Sequence, residues 1–311
     1  MNITKELSLD DILEMNPEFM RIFKQHGVDV DNHCLYSVRH LPIKECPDLC
    51  GLEGIDQLLE KLNEIETSSL STRTVGELVA HNPIRAQVFD QLGIDFCCGG
   101  KVSLEEACRK KNLDVDDVVS KLQDCDSQFG TSESTWVGSS AAALVDHIET
   151  THHQYLKKEL PRLQALAEKV ARVHGERAPH MVQLAKVFSR LKDEIEAHTM
   201  KEEMVLFPYI RELEKNVACH TPPFGTVANP INCMESEHDD AGRALFEMRK
   251  LTNDYTPPED ACGSWKALLG GLAHFDKDLR THIHKESSIL FPQAILLEES
   301  QCSTGAVKQS G

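Results

Sequence analysis

Two eleven-residue stretches repeat a pattern of metal-binding side chains, HTMKEEMVLFP at 198–208 and HIHKESSILFP at 282–292. His, Lys, Glu, Leu, Phe and Pro recur at the same spacing in both. In a helix, residues i and i+4 lie on one face about a turn apart. His198 with Glu202, and His282 with Glu286, can therefore each turn an imidazole and a carboxylate toward one centre. Both donors suit iron, and a carboxylate has two oxygens with which to bridge two ions. A lone His-x-x-x-Glu arises by chance in a chain with 15 His and 50 Asp plus Glu. The same pair inside the same longer pattern is far more specific.

The elements that must position these residues are long amphipathic helices, over about 140–174, 178–214, 229–252 and 260–298. A Pro- and Gly-bearing loop lies around 218–228, and β-rich segments are absent. Four such helices predict a four-helix bundle over 140–300 with a flexible tail at 301–311. Each repeated stretch falls on the second helix of a hairpin, so the first helix of each hairpin should add a donor. In the third helix that donor is His238, within CMESEHDDAGRAL. In the first, DHIETTHHQYLKKELP offers His147, His152 and His153. One of these three completes a set of four His and two Glu. That count fits a twofold-symmetric pair of ions, each taking imidazoles from two helices, with the glutamates bridging.

A second chemical feature is GIDFCCGGK at 93–101, which places Cys97 and Cys98 side by side. It ends the second copy of an internal repeat: SLDDILEMNPEFMRIFKQHGVD (8–29) and TVGELVAHNPIRAQVFDQLGID (74–95). Each copy reads as a short helix ending before Asn-Pro, an Asn cap, a second helix with Pro in its first turn and a glycine stop. A segment near 63–72 separates them. Two small helical modules are thus expected, at 1–66 and 70–126, with a Ser/Gly-rich linker at 127–139. The thiol pair stands in one copy alone, so the module's fold does not require it. Ser103 and Glu106 form a capping-box pattern that starts the next helix. Cys97 and Cys98 then fall in an exposed glycine-rich turn beside Lys101, where a cation and open backbone N–H groups favour thiolate.

The formal charge of −17 argues against a partner recognised through phosphate neutralisation, so no nucleic acid is expected, and against docking on an anionic membrane. No apolar run is long enough to span a bilayer, and the N-terminus lacks the basic-then-apolar order of an export signal. Eleven irregularly spaced cysteines then read as thiols of a reducing cytoplasm.

These motifs resemble the RIC (repair of iron centres) family, the ScdA/YtfE-type di-iron proteins for iron–sulfur cluster repair. The resemblance covers residues 72–298. It is carried by TVGEL…NPIRAQVFDQLGIDFCCGGK in an ScdA-type N-terminal domain. In a hemerythrin-like domain it is carried by LVDHI…HH…ELP, EIEAHTMKEEMVLFP, NCMESEHDDAG, TPPEDACGSWKAL and HIHKESSILFP. It implies an all-α chain, two non-haem iron ions with oxo or hydroxo and carboxylate bridges, and the ligand set His153, His198, Glu202, His238, His282 and Glu286. His153 is selected as the histidine seven residues before Leu160-Pro161. The family usually has an aromatic just before it, and here that residue is His152. The vicinal pair maps to Cys97 and Cys98, and residues 1–66 look like a DUF1858-type module.

The function so implied is repair of iron–sulfur proteins damaged by nitrosative or oxidative stress, by iron donation. Cys97 and Cys98 would act as a mobile thiol tool, and the resemblance also suggests a homodimer. The rival readings are a di-iron nitric oxide reductase, a hemerythrin-like carrier or sensor of oxygen or nitric oxide, and a structural zinc bundle. Zinc prefers closed four-coordinate sites, which two bridging carboxylates do not suggest. Cys34, Cys46 and Cys50, near His33, offer a weaker metal-binding pattern.

Overall fold

The computed structural model describes residues 3–15, 19–25, 28, 39–45, 55–129, 136–215 and 222–307. Cys34, Cys46, Cys50 and His33 lie outside the described residues, as does part of the expected linker. The chain divides into two compact units, Met1–Ile94 with Val102–Ser134, and Asp95–Lys101 with Thr135–Gly311. The described residues are helical, with only the isolated bridges Ser8–Pro42 and Thr74–Ser103 in place of strands.

The first unit contains α1 (Leu9–Met15), α2 (Phe19–Gln25), a 3₁₀ turn at Ile43–Glu45, α3 (Ile55–Thr72), α4 (Val75–His81), α5 (Arg85–Leu92), α6 (Leu104–Lys111) and α7 (Val115–Phe129). Leu9, Ile12, Phe19, Phe23, Ile43, Leu58 and Leu62 form one of its cores. The stretch read as a separator, 63–72, is instead the second half of α3. Leu62 and Leu70 stand two helical turns apart and are both fully buried, and that burial overrides the modest helix propensity of the Ser/Thr run. Residues 127–129, expected to be linker, likewise complete α7.

In the second repeat copy the helix pair forms as expected, and Gly93 ends α5 in the left-handed conformation at φ 65°. Asn82 departs from the expected role. It closes α4, and its buried side chain donates to Asp126 Oδ1 at 2.7 Å rather than capping α5, whose N-cap is Ile84. The cause is a buried ion pair: Arg85 Nε and Nη2 reach Asp126 at 3.0 and 2.6 Å, and the carboxylate takes Asn82 as a further donor. Ser103 caps α6 through the Glu106 N–H, but the Glu106 carboxylate turns to Lys110. Thr74 with Glu77, at the start of α4, forms a complete capping box.

The second unit is built from four long helical runs. The first joins α8 (Ala141–His147), a π-turn (Ile148–His153) and α9 (Gln154–His174). The second joins α10 (Pro179–Lys201), a π-turn (Glu202–Leu206) and α11 (Phe207–Glu214). The third is α12 (Ala228–Thr252), and the fourth joins α13 (Gly263–Lys285), a π-turn (Glu286–Leu290) and α14 (Phe291–Val307). The first run packs on the second and fourth, and the third packs on the second and fourth, which closes a bundle. At Gly271 a Cβ would stand 2.6 Å from Leu163, so this glycine permits the close approach of the first and fourth runs.

Glu214 accepts the Ala141 and Ala142 N–H groups at the start of α8, both at 2.9 Å, which pairs donors a helix start leaves open. Elsewhere, buried Asp276 accepts from Arg249, Arg280 and Tyr255.

The widened π-turns interrupt helices that the sequence pattern reads as continuous. Two of them carry the repeated motif. Phe207 N–H reaches back five residues to Glu202 O, and Phe291 N–H to Glu286 O. Pro208 and Pro292 follow. Proline has no N–H and its ring crowds the carbonyl four residues back, so a wider turn just before it relieves both problems. The Leu-Phe-Pro ending is thus the local signal for a π-turn that begins at the glutamate in each case.

Candidate metal centre

The three π-turns, α12 and the last turns of α10 and α13 bring six donor side chains together inside the bundle. Two groups form: His153, Glu202, His282 and Glu286, and His198, Glu202, His238 and Glu286. Within each group one donor atom per residue lies within 4.8 Å of all the others. Glu202 and Glu286 are fully buried and belong to both groups. Glu202 turns Oε2 to His153 Nε2 at 3.4 Å and Oε1 to His198 Nε2 at 3.3 Å. Glu286 turns Oε1 to His282 Nε2 at 2.8 Å and Oε2 to His238 Nε2 at 3.1 Å. The imidazoles converge in pairs, His153 with His282 at 3.3 Å and His198 with His238 at 3.2 Å, Nε2 to Nε2. Nitrogens at that separation, each about 2.1 Å from one ion, subtend roughly 100° at it.

Of the three first-run histidines, His153 is the one whose ring enters the cluster. His152 is buried beside it, stacked parallel on His282 with ring centres 5.3 Å apart. His147 is half-buried, stacked on Trp136 at 4.4 Å and hydrogen-bonded to Lys285 at 2.7 Å.

Three of the four ring nitrogens facing away from the cluster are held by residues that donor spacing does not reveal. His153 Nδ1 meets Glu203 at 2.9 Å, His198 Nδ1 meets Glu237 at 2.8 Å, and His238 Nδ1 meets Ser287 at 3.0 Å. A partner on Nδ1 fixes the tautomer so that Nε2 presents its lone pair. The available signal is adjacency: each of the three stands next in sequence to a candidate ligand.

The electrostatics demand positive charge. Both Glu202 oxygens and Glu286 Oε2 are buried without a hydrogen-bond partner among the described residues. Burial pushes the Glu286 carboxyl up, but charge on His282 and His238 and the hydrogen bond from His282 to Oε1 carry it well below the ordinary range. His198 is pushed up to about 10, since Glu202, Glu237 and Glu286 outweigh the effect of its burial. Protons on imidazole compensate the carboxylates only partly, and buried unpaired acceptors are costly. Cations placed between the six donors would satisfy every orphaned oxygen, and a set of four imidazoles and two carboxylates is chemistry suited to iron.

The thiol pair differs from expectation. The loop Asp95–Lys101 belongs to the second unit, and within it Cys97 is buried while Cys98 is half-buried. The Asp95 carboxylate accepts the N–H groups of Cys97, Cys98 and Gly99 at 3.0–3.1 Å. The amides expected to support a thiolate are therefore already taken by a carboxylate, and Lys101 pairs with Glu235 at 2.6 Å. A hydrogen bond with Cys98, then burial and the Asp95 charge, hold the Cys97 thiol well above its ordinary range. The sulfurs are 3.6 Å apart, and Cys98 Sγ donates to His238 O at 3.1 Å. A Cβ on Gly242 would stand 2.7 Å from that sulfur, so the bare glycine makes its seat. The pair is a docked feature on the helix that carries His238, not an open turn.

Two family models match separate segments of the chain. The family model described as a hemerythrin HHE cation binding domain matches residues 144–294. The one described as a domain of unknown function (DUF542), ScdA_N, matches residues 71–126. A probable iron–sulfur cluster repair protein of Haemophilus influenzae is 37% identical over 228 residues, which is 73% of this chain and 98% of the relative. The iron–sulfur cluster repair protein YtfE of Dickeya chrysanthemi is 39% identical over 224 residues, 72% of this chain and 96% of the relative. YtfE of Escherichia coli O81 is 37% identical over 221 residues, 71% and 96% respectively.

Proposed function

The chain belongs to the iron–sulfur cluster repair protein family, and from that premise we propose that it is a di-iron protein that returns iron to damaged iron–sulfur proteins. The observation that carries the reading is the sharing of Glu202 and Glu286, whose two oxygens each face a different imidazole pair. His153 and His282 would hold one iron and His198 and His238 the other, with the two carboxylates common to both. Iron so bound supplies a redox-responsive store, because imidazole and carboxylate hold Fe(II) less tightly than thiolates hold a cluster.

The residues around the site have separable tasks in this reading. Glu203, Glu237 and Ser287 keep Nδ1 occupied and Nε2 aimed inward. The buried side chains of the bundle, Phe207 and Phe291 among them, keep bulk water from the carboxylates. Cys98, which donates to the backbone of His238, and Cys97 beside it would in this reading receive iron or exchange thiols with a client. Residues 1–66 and 70–126 act as helical modules N-terminal to the bundle. A reducing cytoplasm is the setting in which such thiols persist, and nitrosative or oxidative stress is the source of the damage. No described helix is long and apolar enough to cross a membrane.

The direct experiment mixes protein loaded with ⁵⁷Fe(II) and a peroxide-treated [4Fe–4S] dehydratase under anaerobic conditions, with a dithiol reductant supplying the one electron that rebuilding [4Fe–4S]²⁺ from [3Fe–4S]⁺ and Fe(II) requires. Transfer of ⁵⁷Fe into a restored cluster, abolished by Glu202→Leu, is the expected result. Restoration at the same rate with the metal-free protein would overturn the proposal.

A further inference from the structure

Aligning the two repeated stretches makes Lys201 equivalent to Lys285, His198 to His282, Glu202 to Glu286 and Glu203 to Ser287. On the partner helices His153 corresponds to His238, and the residue before each, His152, corresponds to Glu237. The structure respects these equivalences in detail. The residue after each shared glutamate, Glu203 or Ser287, holds Nδ1 of the partner-helix histidine. The lysine before each shared glutamate donates to the residue before the other partner-helix histidine, Lys201 to Glu237 beside His238 and Lys285 to His152 beside His153.

The symmetry fails at one atom. Glu237 accepts from His198 Nδ1 at 2.8 Å. His152 stands in Glu237's place but offers His282 only the face of its ring, parallel within 2°. Its own Nδ1 is engaged by Asp278 at 3.0 Å and its Nε2 by Lys285 at 3.1 Å. His282 Nδ1 is left with no hydrogen-bond partner among the described residues, on a side chain only 1% exposed.

We infer that the two half-sites are unequal, and that the ion held by His153 and His282 is the one this protein gives up first. In the His198/His238 half both imidazoles are backed on Nδ1, one of them by a carboxylate. In the His153/His282 half only His153 is backed. A partner on the outer nitrogen raises the basicity of a ligating imidazole and fixes its plane, and loss of one such partner typically lowers metal affinity about 10–100-fold. His152 is thus a positioning residue by default: it fills the place of a carboxylate without supplying the acceptor. This inference rests on the di-iron reading and deepens it, since it names which ion is the cargo.

The test uses the full chain loaded anaerobically with ⁵⁷Fe(II) and challenged with excess ferrous chelator. The expected result is release in two phases of equal amplitude, with rates about 10–100-fold apart, and one of two Mössbauer doublets disappearing in the fast phase. His152→Glu restores the equivalent of Glu237 and should slow the fast phase about tenfold or more while leaving the slow phase unchanged. His152→Gln, a neutral acceptor of similar reach, should slow it less. The doublet whose splitting changes in these variants should be the one lost first in the unmodified protein. Release of two irons in a single phase, or a fast phase indifferent to both substitutions, would overturn the inference alone. Fewer than two irons per chain before the chelator is added would overturn the di-iron reading, and the inference with it.

Discussion

Glu202→Leu should stabilise the metal-free protein and destabilise the iron-loaded one. Both Glu202 oxygens are fully buried and lack hydrogen-bond partners, and their approaches to His153 and His198 are long, at 3.4 and 3.3 Å. An unsatisfied buried polar group costs about 1–3 kcal/mol, more when charged. Both imidazoles keep another carboxylate after the substitution, His153 at Glu203 and His198 at Glu237. Removing the carboxylate should therefore leave little newly unpaired, and the metal-free protein should gain about 1–3 kcal/mol. In a domain of this size each kcal/mol moves Tm by roughly 2–4 °C. With Fe(II) at about a hundred times Kd each of the two ions adds about 2.7 kcal/mol to the native protein, together more than the variant's gain of about 1–3 kcal/mol, and the variant forgoes both, so the order of the two proteins should reverse. Both tryptophans, Trp136 and Trp265, lie in the second unit, so tryptophan fluorescence during heating reports on the bundle itself. A lower Tm for Glu202→Leu in the presence of chelator would refute the reasoning, because it would mean that the metal-free fold already satisfies this carboxylate.

Two other sites give independent checks. Asp95→Asn removes a charge that helps hold the Cys97 thiol up. Cys97 alkylation at pH 8, below its raised pKa, should accelerate by about threefold or more, measured by mass spectrometry of the peptide; an unchanged rate would show that burial alone protects it. Asp126→Ala strands the buried Arg85 guanidinium and should cost about 3–5 kcal/mol, read as early loss of amide-exchange protection in α4, α5 and α7 while the bundle holds. A loss below about 1 kcal/mol would count against that pair as the organiser of the Asn-Pro corner.

The helical class and the hairpin arrangement were legible because amphipathic periodicity, caps and stops are local signals. The six candidate ligands were legible for a related reason: i, i+4 spacing is a property of a single helix, and the repeat supplied the second half. Among His147, His152 and His153, spacing could not choose. A π-turn ends at His153, and an extra residue in a turn rotates every side chain after it by a fraction of a turn relative to an ideal helix. The environment of Cys97 and Cys98 was misread because the nearest cation and amides in sequence were assumed to serve the sulfurs. Asp95, two residues away, takes the amides, and Glu235, far along the chain, takes Lys101. Asn82 was misjudged for the same reason, since its partner Asp126 lies 44 residues on. Local motifs are readable wherever the competing partner is also local.

The measurement that bears most directly on the central claim is the iron content and low-temperature Mössbauer spectrum of protein reconstituted anaerobically and then oxidised. The account predicts two irons per chain, high-spin and antiferromagnetically coupled through shared bridges, with both the count and the coupling lost in Glu202→Leu and in Glu286→Leu. Two irons retained in both variants, or zinc in place of iron after reconstitution, would contradict it.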